Sequence, residues 1–175
     1  MIRFFGGRVM TLANGIETQD IEVWTEGSKI VFVGKPKAEE LDGKVFEREY
    51  DLKGNLLMPS FKNAHTHSAM TFLRSYADDM PLQDWLFKQI FPMEAKLDGE
   101  KVYWLTKLAI LEYLTTGCTA AFDMYFELDD YVKACIESGF RSVLCGAVSG
   151  DKSNLERLEN NYLKYNGKDP LISFM

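Results

Sequence analysis

From Leu56 to the end of the chain, apolar strand-like segments alternate with segments of helical spacing, and this order restricts the fold more than any other sequence feature. The strand-like segments are LLMPSFKNAHTH, CTAAFDMY, RSVLCGAV and LISFM, and helical patterns such as EKVYWLTKLAILEYLTT separate them. The first run has little alternation, which is typical of a strand buried on both faces of a sheet. Strands joined through helices run parallel, with right-handed crossovers. We therefore predict an α/β chain with a parallel sheet.

The first 58 residues have a different pattern, in which apolar and polar positions alternate over short segments. The segments RVMTL, DIEVWTEG, KIVFVG and VFEREYDL are predicted strands, and Gly27-Ser28 between the second and the third predicts a hairpin. We expect two domains, a β-rich one over residues 1–58 and an α/β one over residues 59–175.

The length of the chain limits how much of an α/β barrel it can contain. A (β/α)8 barrel requires about 250 residues, whereas this chain has 175 residues and offers four strands of the barrel type. Its last segment, LISFM, is apolar and has no turn, cap or polar tail behind it. We therefore expect the sequence to be the N-terminal part of a longer protein.

Charge balance and cysteine content narrow the choice of partners and compartment. With 26 acidic and 20 basic residues the formal net charge is −6, which does not favour nucleic acids or anionic membrane surfaces as partners. No apolar run reaches the ~18 residues that a membrane helix needs. The three cysteines, Cys118, Cys135 and Cys145, lack C-x-x-C spacing and lie in apolar surroundings. We expect a reduced, cytoplasmic protein that binds a small molecule.

Both histidines of the chain stand two residues apart, as His65 and His67 in NAHTHSAM. If this segment is a strand, alternate side chains project from the same face, so both imidazoles can reach one ion. The pair also stands at the C-terminal end of the predicted first barrel strand, where barrel enzymes build their sites. Imidazole nitrogen suits zinc, iron or nickel, and the sequence does not choose among them.

A His-x-His pair also occurs by chance, and an isolated pair is more often incidental than a metal site. Here the context favours a metal site, because the pair follows an apolar strand and Pro59 and precedes a polar break into a helix. The pair therefore stands at a strand end and not on a solvated helix face.

The longer segment LLMPSFKNAHTHSAMTFLRSYADDMPLQDWLFKQIFPMEAKL resembles the first-strand region of the amidohydrolase superfamily, in the branch of 5-methylthioadenosine/S-adenosylhomocysteine deaminases and chlorohydrolases. The similarity continues through DMYF at residues 123–126 and reaches the last residue. The resemblance implies the first part of a (β/α)8 TIM-type barrel, preceded by strands of a small β-sandwich domain. It also implies that His65 and His67 bind zinc or a similar divalent ion, with further ligands and the proton-transfer residues beyond residue 175.

The resemblance also implies two contacts to a substrate. Glu94, in PMEAKL, matches a family carboxylate that accepts hydrogen bonds from ribose hydroxyls, although an acid in a helix's first turn after Pro92 is the alternative. Arg157, in NLERLENN, matches a family arginine near the substrate, although its acidic neighbours are also typical of a solvated helix face. Asp123, in the buried strand AAFDMYF, is interpreted as a residue that orients loops and not as a ligand.

The function that the resemblance implies is hydrolytic deamination of an adenine nucleoside by metal-activated water. A triazine-type chlorohydrolase, a guanine deaminase or another cyclic-amidine hydrolase has the same scaffold and histidine pair, and fold alone does not decide among them. A different alternative is a non-catalytic fragment that contributes half a barrel to a partner chain. The oligomeric state stays open, and a homo-oligomer is one outcome.

Overall fold

The computed structural model describes residues 1–13, 15–146 and 152–175, and the chain divides into two compact units. The first unit is Met1–Pro59 and the second is Ser60–Met175. Within the described ranges, no helix combines the length and the apolar character needed to cross a membrane.

The first unit consists almost wholly of short strands. Its elements are β1 (Ile2–Phe5), β2 (Arg8–Met10), β3 (Thr18–Gln19), β4 (Glu22–Glu26), β5 (Lys29–Gly34), the short helix α1 (Ala38–Leu41), β6 (Arg48–Asp51) and β7 (Leu56–Leu57). They form two sheets, with the strand orders β5-β4-β1-β6 and β3-β2-β7. Strands β4 and β5 pair antiparallel with Glu26 opposite Lys29, so the predicted hairpin at Gly27-Ser28 is confirmed.

Trp24 is the most buried side chain of the four-stranded sheet, with 3% of its surface exposed. Its ring stacks on Phe32 of β5 with 4.2 Å between the centroids, and its indole N–H donates to the Glu22 carboxylate at 2.8 Å. The same carboxylate accepts two hydrogen bonds from the Arg3 guanidinium of β1, at 2.6 and 2.7 Å. Aromatic stacking and a bidentate ion pair therefore link β1, β4 and β5.

The second unit alternates strands and helices, as the sequence predicts. After β8 (Phe61–Thr66) come a 3-10 helix (Ser68–Leu73), α2 (Leu82–Asp84), a π-helical turn (Trp85–Ile90), α3 (Phe91–Glu94), α4 (Gly99–Thr115), β9 (Cys118–Met124), α5 (Leu128–Glu137), β10 (Arg141–Cys145), α6 (Lys152–Tyr165) and β11 (Ile172–Phe174). The four strands form one parallel sheet in the order β11-β10-β9-β8. The predicted α/β class with a parallel sheet is confirmed. Because the strands are parallel, their carboxyl ends all lie on the same side of the sheet.

The core of the second unit lies between the sheet and its helices. Val102 and Ile110 of α4 and Cys135 of α5 are fully buried in it. The largest buried side chains of the core are Tyr131, Phe140, Leu144, Ile172 and Phe174. Apolar positions that recur at helical spacing thus cover the sheet, which is the packing that the alternating pattern predicts.

The prediction of one strand over LLMPSFKNAHTH, buried on both faces, is wrong. Leu56–Leu57 pairs with β2 in the first unit, and β8 begins only at Phe61 in the second unit. Among the described residues β8 pairs with β9 alone, and Phe61 is 61% exposed. The run lacks alternation because it joins two separate strands, and β8 is exposed because it lies at the edge of its sheet.

Candidate metal and substrate site

A cavity of about 790 Å³ lies in the second unit, where β8, β9 and β10 end. Its wall includes His67 after β8, Met124 and Tyr125 at the end of β9, and Cys145 at the end of β10. The helical segment over residues 82–94 and helix α6 supply the other walls. Because the carboxyl ends of parallel strands lie on one side of the sheet, side chains that are distant in sequence meet there. The cavity has the size of a small-molecule site.

The two histidines stand side by side at the end of β8. His65 is exposed near the end of the strand, and His67 is half-buried directly after it. Their ring centroids are 5.2 Å apart, with an angle of 82° between the ring planes. Two imidazole nitrogens that bind one tetrahedral zinc at about 2.0–2.1 Å place their ring centroids about 5 Å apart. The separation of this pair therefore fits a shared ion.

The tautomer of His67 is set by its neighbour on β9. Its Nδ1 lies 2.8 Å from the main-chain carbonyl oxygen of Met124. Because a carbonyl oxygen only accepts, Nδ1 carries the proton and donates it, and the lone pair of the neutral ring is on Nε2. A metal-bound histidine is usually held in this way through its second nitrogen.

The histidine pair supplies two nitrogen donors, whereas catalytic zinc ordinarily has three protein ligands and one open position. Over the described parts of the chain, no three or more histidine, cysteine, aspartate or glutamate side chains are grouped so that they could hold a metal ion. A complete catalytic centre therefore requires ligands from outside the described residues.

Glu94, the last residue of α3, is half-buried in the wall of the same cavity. Burial raises the pKa of its carboxyl group, although the neighbouring Tyr125 hydroxyl and the nearby His67 ring act in the opposite direction. The pKa of Tyr125 is also raised, by burial and by the nearby negative charge of Glu94. The buried Tyr125 hydroxyl faces Glu94 but makes no hydrogen bond of normal geometry to any described group. An acceptor and an unsatisfied hydroxyl are therefore available beside the cavity.

Arg157 of α6 lies on the cavity wall and is itself exposed. Its guanidinium donates to the Asn154 side-chain oxygen at 3.1 Å, one helical turn earlier. Three of the four residues singled out in the sequence, His67, Glu94 and Arg157, therefore line one cavity, and His65 stands beside the first of them.

Sequence reasoning did not single out Tyr125 and gave little weight to Asp123. Asp123 is completely buried, and it accepts hydrogen bonds from the Ser68 amide, the Ser68 hydroxyl and the Tyr131 hydroxyl. Burial raises the pKa of Asp123, and these hydrogen bonds partly offset the rise. The available signal was a charged residue inside the apolar strand AAFDMYF, because a buried carboxylate requires donors.

Comparison with known sequences matches residues 56–168 to the amidohydrolase family. A 5-methylthioadenosine/S-adenosylhomocysteine deaminase of Desulfitobacterium hafniense is 43% identical over 136 residues, which are 78% of this chain and 31% of that protein. A 5'-deoxyadenosine deaminase of Methanospirillum hungatei is 52% identical over 108 residues, which are 61% of this chain and 24% of that protein. The chain thus spans less than half the length of these relatives.

Among solved structures, an adenosine deaminase from Xanthomonas campestris with bound zinc has the same fold over this region. The TM-score is 0.86 at 31% sequence identity, and the match covers 99% of this chain and 41% of that chain. The described strands and helices thus correspond to a part of a larger α/β structure.

Proposed function

The chain belongs to the amidohydrolase family, and on this premise we propose that it is the N-terminal part of a metal-dependent hydrolase that deaminates an adenine nucleoside. In this proposal His65 and His67 hold a divalent ion, zinc in the first instance, together with ligands from the rest of the protein. Such an ion supplies Lewis-acid activation of a water molecule.

The observation that carries the proposal is the tautomer of His67 in the wall of the cavity. Its Nδ1 proton is donated to the Met124 carbonyl, so Nε2 is free to bind a metal, and the ring stands 5.2 Å from that of His65. The names of the relatives, a methylthioadenosine/adenosylhomocysteine deaminase and a deoxyadenosine deaminase, support an adenine nucleoside as the substrate class.

The other proposed residues contact different parts of such a substrate. Glu94, as an ionised acceptor, is suited to the ribose hydroxyls, and Arg157 is suited to a polar or anionic substituent farther from the base. Apolar side chains in the wall, including Trp85 and Phe126, exclude water from the base.

Metal binding by the purified chain is the first test. We expect the chain to bind about one zinc ion per molecule through the pair, and the double variant His65→Ala/His67→Ala to lose this binding. The variant Glu39→Ala, which removes an exposed carboxylate of α1 in the first unit, serves as the control and should bind as the wild type does. Retention of zinc affinity by the double variant would contradict the proposal.

The substrate is tested in a protein that carries the complete barrel. Glu94→Ala should lower activity on 5-methylthioadenosine by about 10-fold to 100-fold, because a hydrogen bond to a charged group is worth about 1.5–3 kcal/mol. Activity on free adenine, which has no ribose, should change little. Equal losses on both compounds, measured as ammonia release, would remove the ribose role.

We also propose a cytoplasmic location for the protein. Its three cysteines, Cys118, Cys135 and Cys145, are all free, as expected in a reducing compartment. The net charge of −6 supports a small-molecule partner in preference to nucleic acid.

A further inference from the structure

A continuous set of hydrogen-bonded side chains lies next to the histidine pair. The Thr66 and Tyr113 hydroxyl oxygens are 2.5 Å apart, and the Tyr113 and Ser68 hydroxyl oxygens are 3.0 Å apart. The Ser68 hydroxyl and amide both donate to the Asp123 carboxylate. Thr66 and Ser68 are the residues on either side of His67, so the segment that carries this histidine is held at both neighbouring positions.

Asp123 is the centre of this set and is completely buried. Besides Ser68, the Tyr131 hydroxyl donates to it at 2.7 Å, and that hydroxyl lies 2.9 Å from the buried Ser142 hydroxyl. An ionised carboxylate only accepts hydrogen bonds, so the Ser68 hydroxyl donates its proton to Asp123. The Tyr113 hydroxyl is therefore the donor in its hydrogen bond to Ser68. The same reasoning makes the Thr66 hydroxyl the donor to Tyr113, so an ionised Asp123 gives each of these bonds one direction.

Sheet pairing is irregular at the histidine segment. The register between β8 and β9 shifts between Asn63 and Thr66, which is where His65 stands. After the shift Thr66 pairs again with Asp123, and side-chain hydrogen bonds from α4 and β9 add to this pairing. The residue after Asp123, Met124, supplies the carbonyl that accepts from His67.

We infer that Asp123 is the positioning residue of the histidine pair, acting through Ser68, and that Tyr113 is its counterpart on the Thr66 side. The inference rests on the proposed function, since it requires the pair to bind a metal. Neither residue contacts the ion in this scheme. Asp123 fixes the main chain at Ser68 and the Met124 carbonyl, and these together orient the His67 ring.

The test compares zinc affinity in the full 175-residue chain and in single variants. Asp123→Asn and Ser68→Ala should each weaken zinc binding by about 10-fold to 100-fold, the usual loss when a group that orients a metal ligand is removed. Tyr113→Phe should also weaken it, because it removes only the hydroxyl and leaves the ring stacked on Phe140. The matched control is Tyr103→Phe on the same helix, whose hydroxyl bonds to Glu137 at the surface, and its zinc affinity should equal that of the wild type.

A second readout separates positioning from general loss of structure. The chain has only two histidines, so the imidazole ¹⁵N spectrum of the metal-free chain reports each ring separately. In the wild type His67 should show a proton on Nδ1, and in Asp123→Asn and Ser68→Ala it should show a mixture of tautomers. If Asp123→Asn does not fold, Ser68→Ala, which keeps the main-chain amide, decides the question.

The outcomes separate this inference from the function on which it rests. If His65→Ala/His67→Ala keeps the zinc affinity of the wild type, both are overturned. If the double variant loses zinc but the folded Ser68→Ala and Tyr113→Phe variants bind as tightly as Tyr103→Phe with an unchanged His67 spectrum, the metal pair stands and the positioning role is wrong.

Discussion

Burial is the main cause of the changed acid–base properties of two cavity side chains, Glu94 and Tyr125. The pKa of each group is raised above its ordinary value, because the protein withdraws water from the charged form. The negative charge of Glu94 adds to the rise at Tyr125, whereas the Tyr125 hydroxyl stabilises the ionised Glu94. The hydroxyl thus stays neutral at physiological pH.

The raised pKa of Glu94 predicts how ligand binding depends on pH. The ionised form accepts hydrogen bonds from the ligand, so affinity should fall as the pH drops through the raised pKa, above the value of about 4.3 for an unperturbed glutamate. For 5-methylthioadenosine and a protein with the complete barrel, titration calorimetry should show a loss of about 10-fold. Glu94→Gln should bind more weakly at neutral pH and lack this component, and identical pH profiles for the two proteins would refute the assignment.

For individual residues, the sequence predicted features that depend on neighbouring positions. It did not predict contacts between residues that are far apart in the chain. The spacing of His65 and His67 identifies the pair without any structure. The partners of Ser68 and His67, by contrast, stand 55 and 57 residues later in the chain, and no local pattern reports such contacts. The roles proposed for Glu94 and Arg157 depended on resemblance, since each has an ordinary helical interpretation as well.

The secondary-structure elements were predicted best where apolar residues recur at regular spacing and a turn residue ends the segment. Helices α4, α5 and α6 and strands β9, β10 and β11 lie where the pattern places them. The segment LQDWLFKQIF also has helical apolar spacing, but the structure has a π-helical turn within it, which ends just before Phe91 and Pro92. Proline has no N–H group to donate a helical hydrogen bond, and this interruption favours a local change in the main-chain hydrogen-bond pattern of the helix. The spacing of apolar residues does not reveal such a change.

Gly117 connects α4 to β9 and provides a test of how that helix ends. Its φ of +82° lies in the left-handed region, and its carbonyl accepts from the Phe61 amide of β8 at 2.9 Å. Gly117→Ala should lower the free energy of unfolding by about 1–2 kcal/mol, because a β-carbon is strained at this φ. Gly117→Asn should cost less, since asparagine tolerates this conformation better. Urea denaturation measures both, and an alanine variant as stable as the wild type would contradict this account.

The whole second unit presents a parallel sheet of four strands, half the number of a closed barrel. Within the described residues β8 and β11 each pair on one side only. Phe61 on β8 is 61% exposed, and on α4 Trp104 and Leu111 are 62% and 59% exposed. An open sheet edge and exposed apolar side chains both favour association between chains.

We therefore expect the isolated chain to associate as its concentration rises. Size-exclusion chromatography with light scattering should show a mass above that of one chain at high concentration. Phe61→Lys, which places a charge on the free edge, should shift the equilibrium toward the monomer, whereas Lys29→Ala at the exposed start of β5 in the first unit should not. A monomer at every concentration would argue against this prediction and against a half-barrel that assembles with a partner.

Four side chains that line the cavity come from one part of the sequence. His67, Glu94, Tyr125 and Arg157 all lie within one contiguous stretch of fewer than a hundred residues, although they meet in space. If the proposed function holds, part of the metal site and the proposed substrate contacts emerge from the ribosome together, within this one stretch.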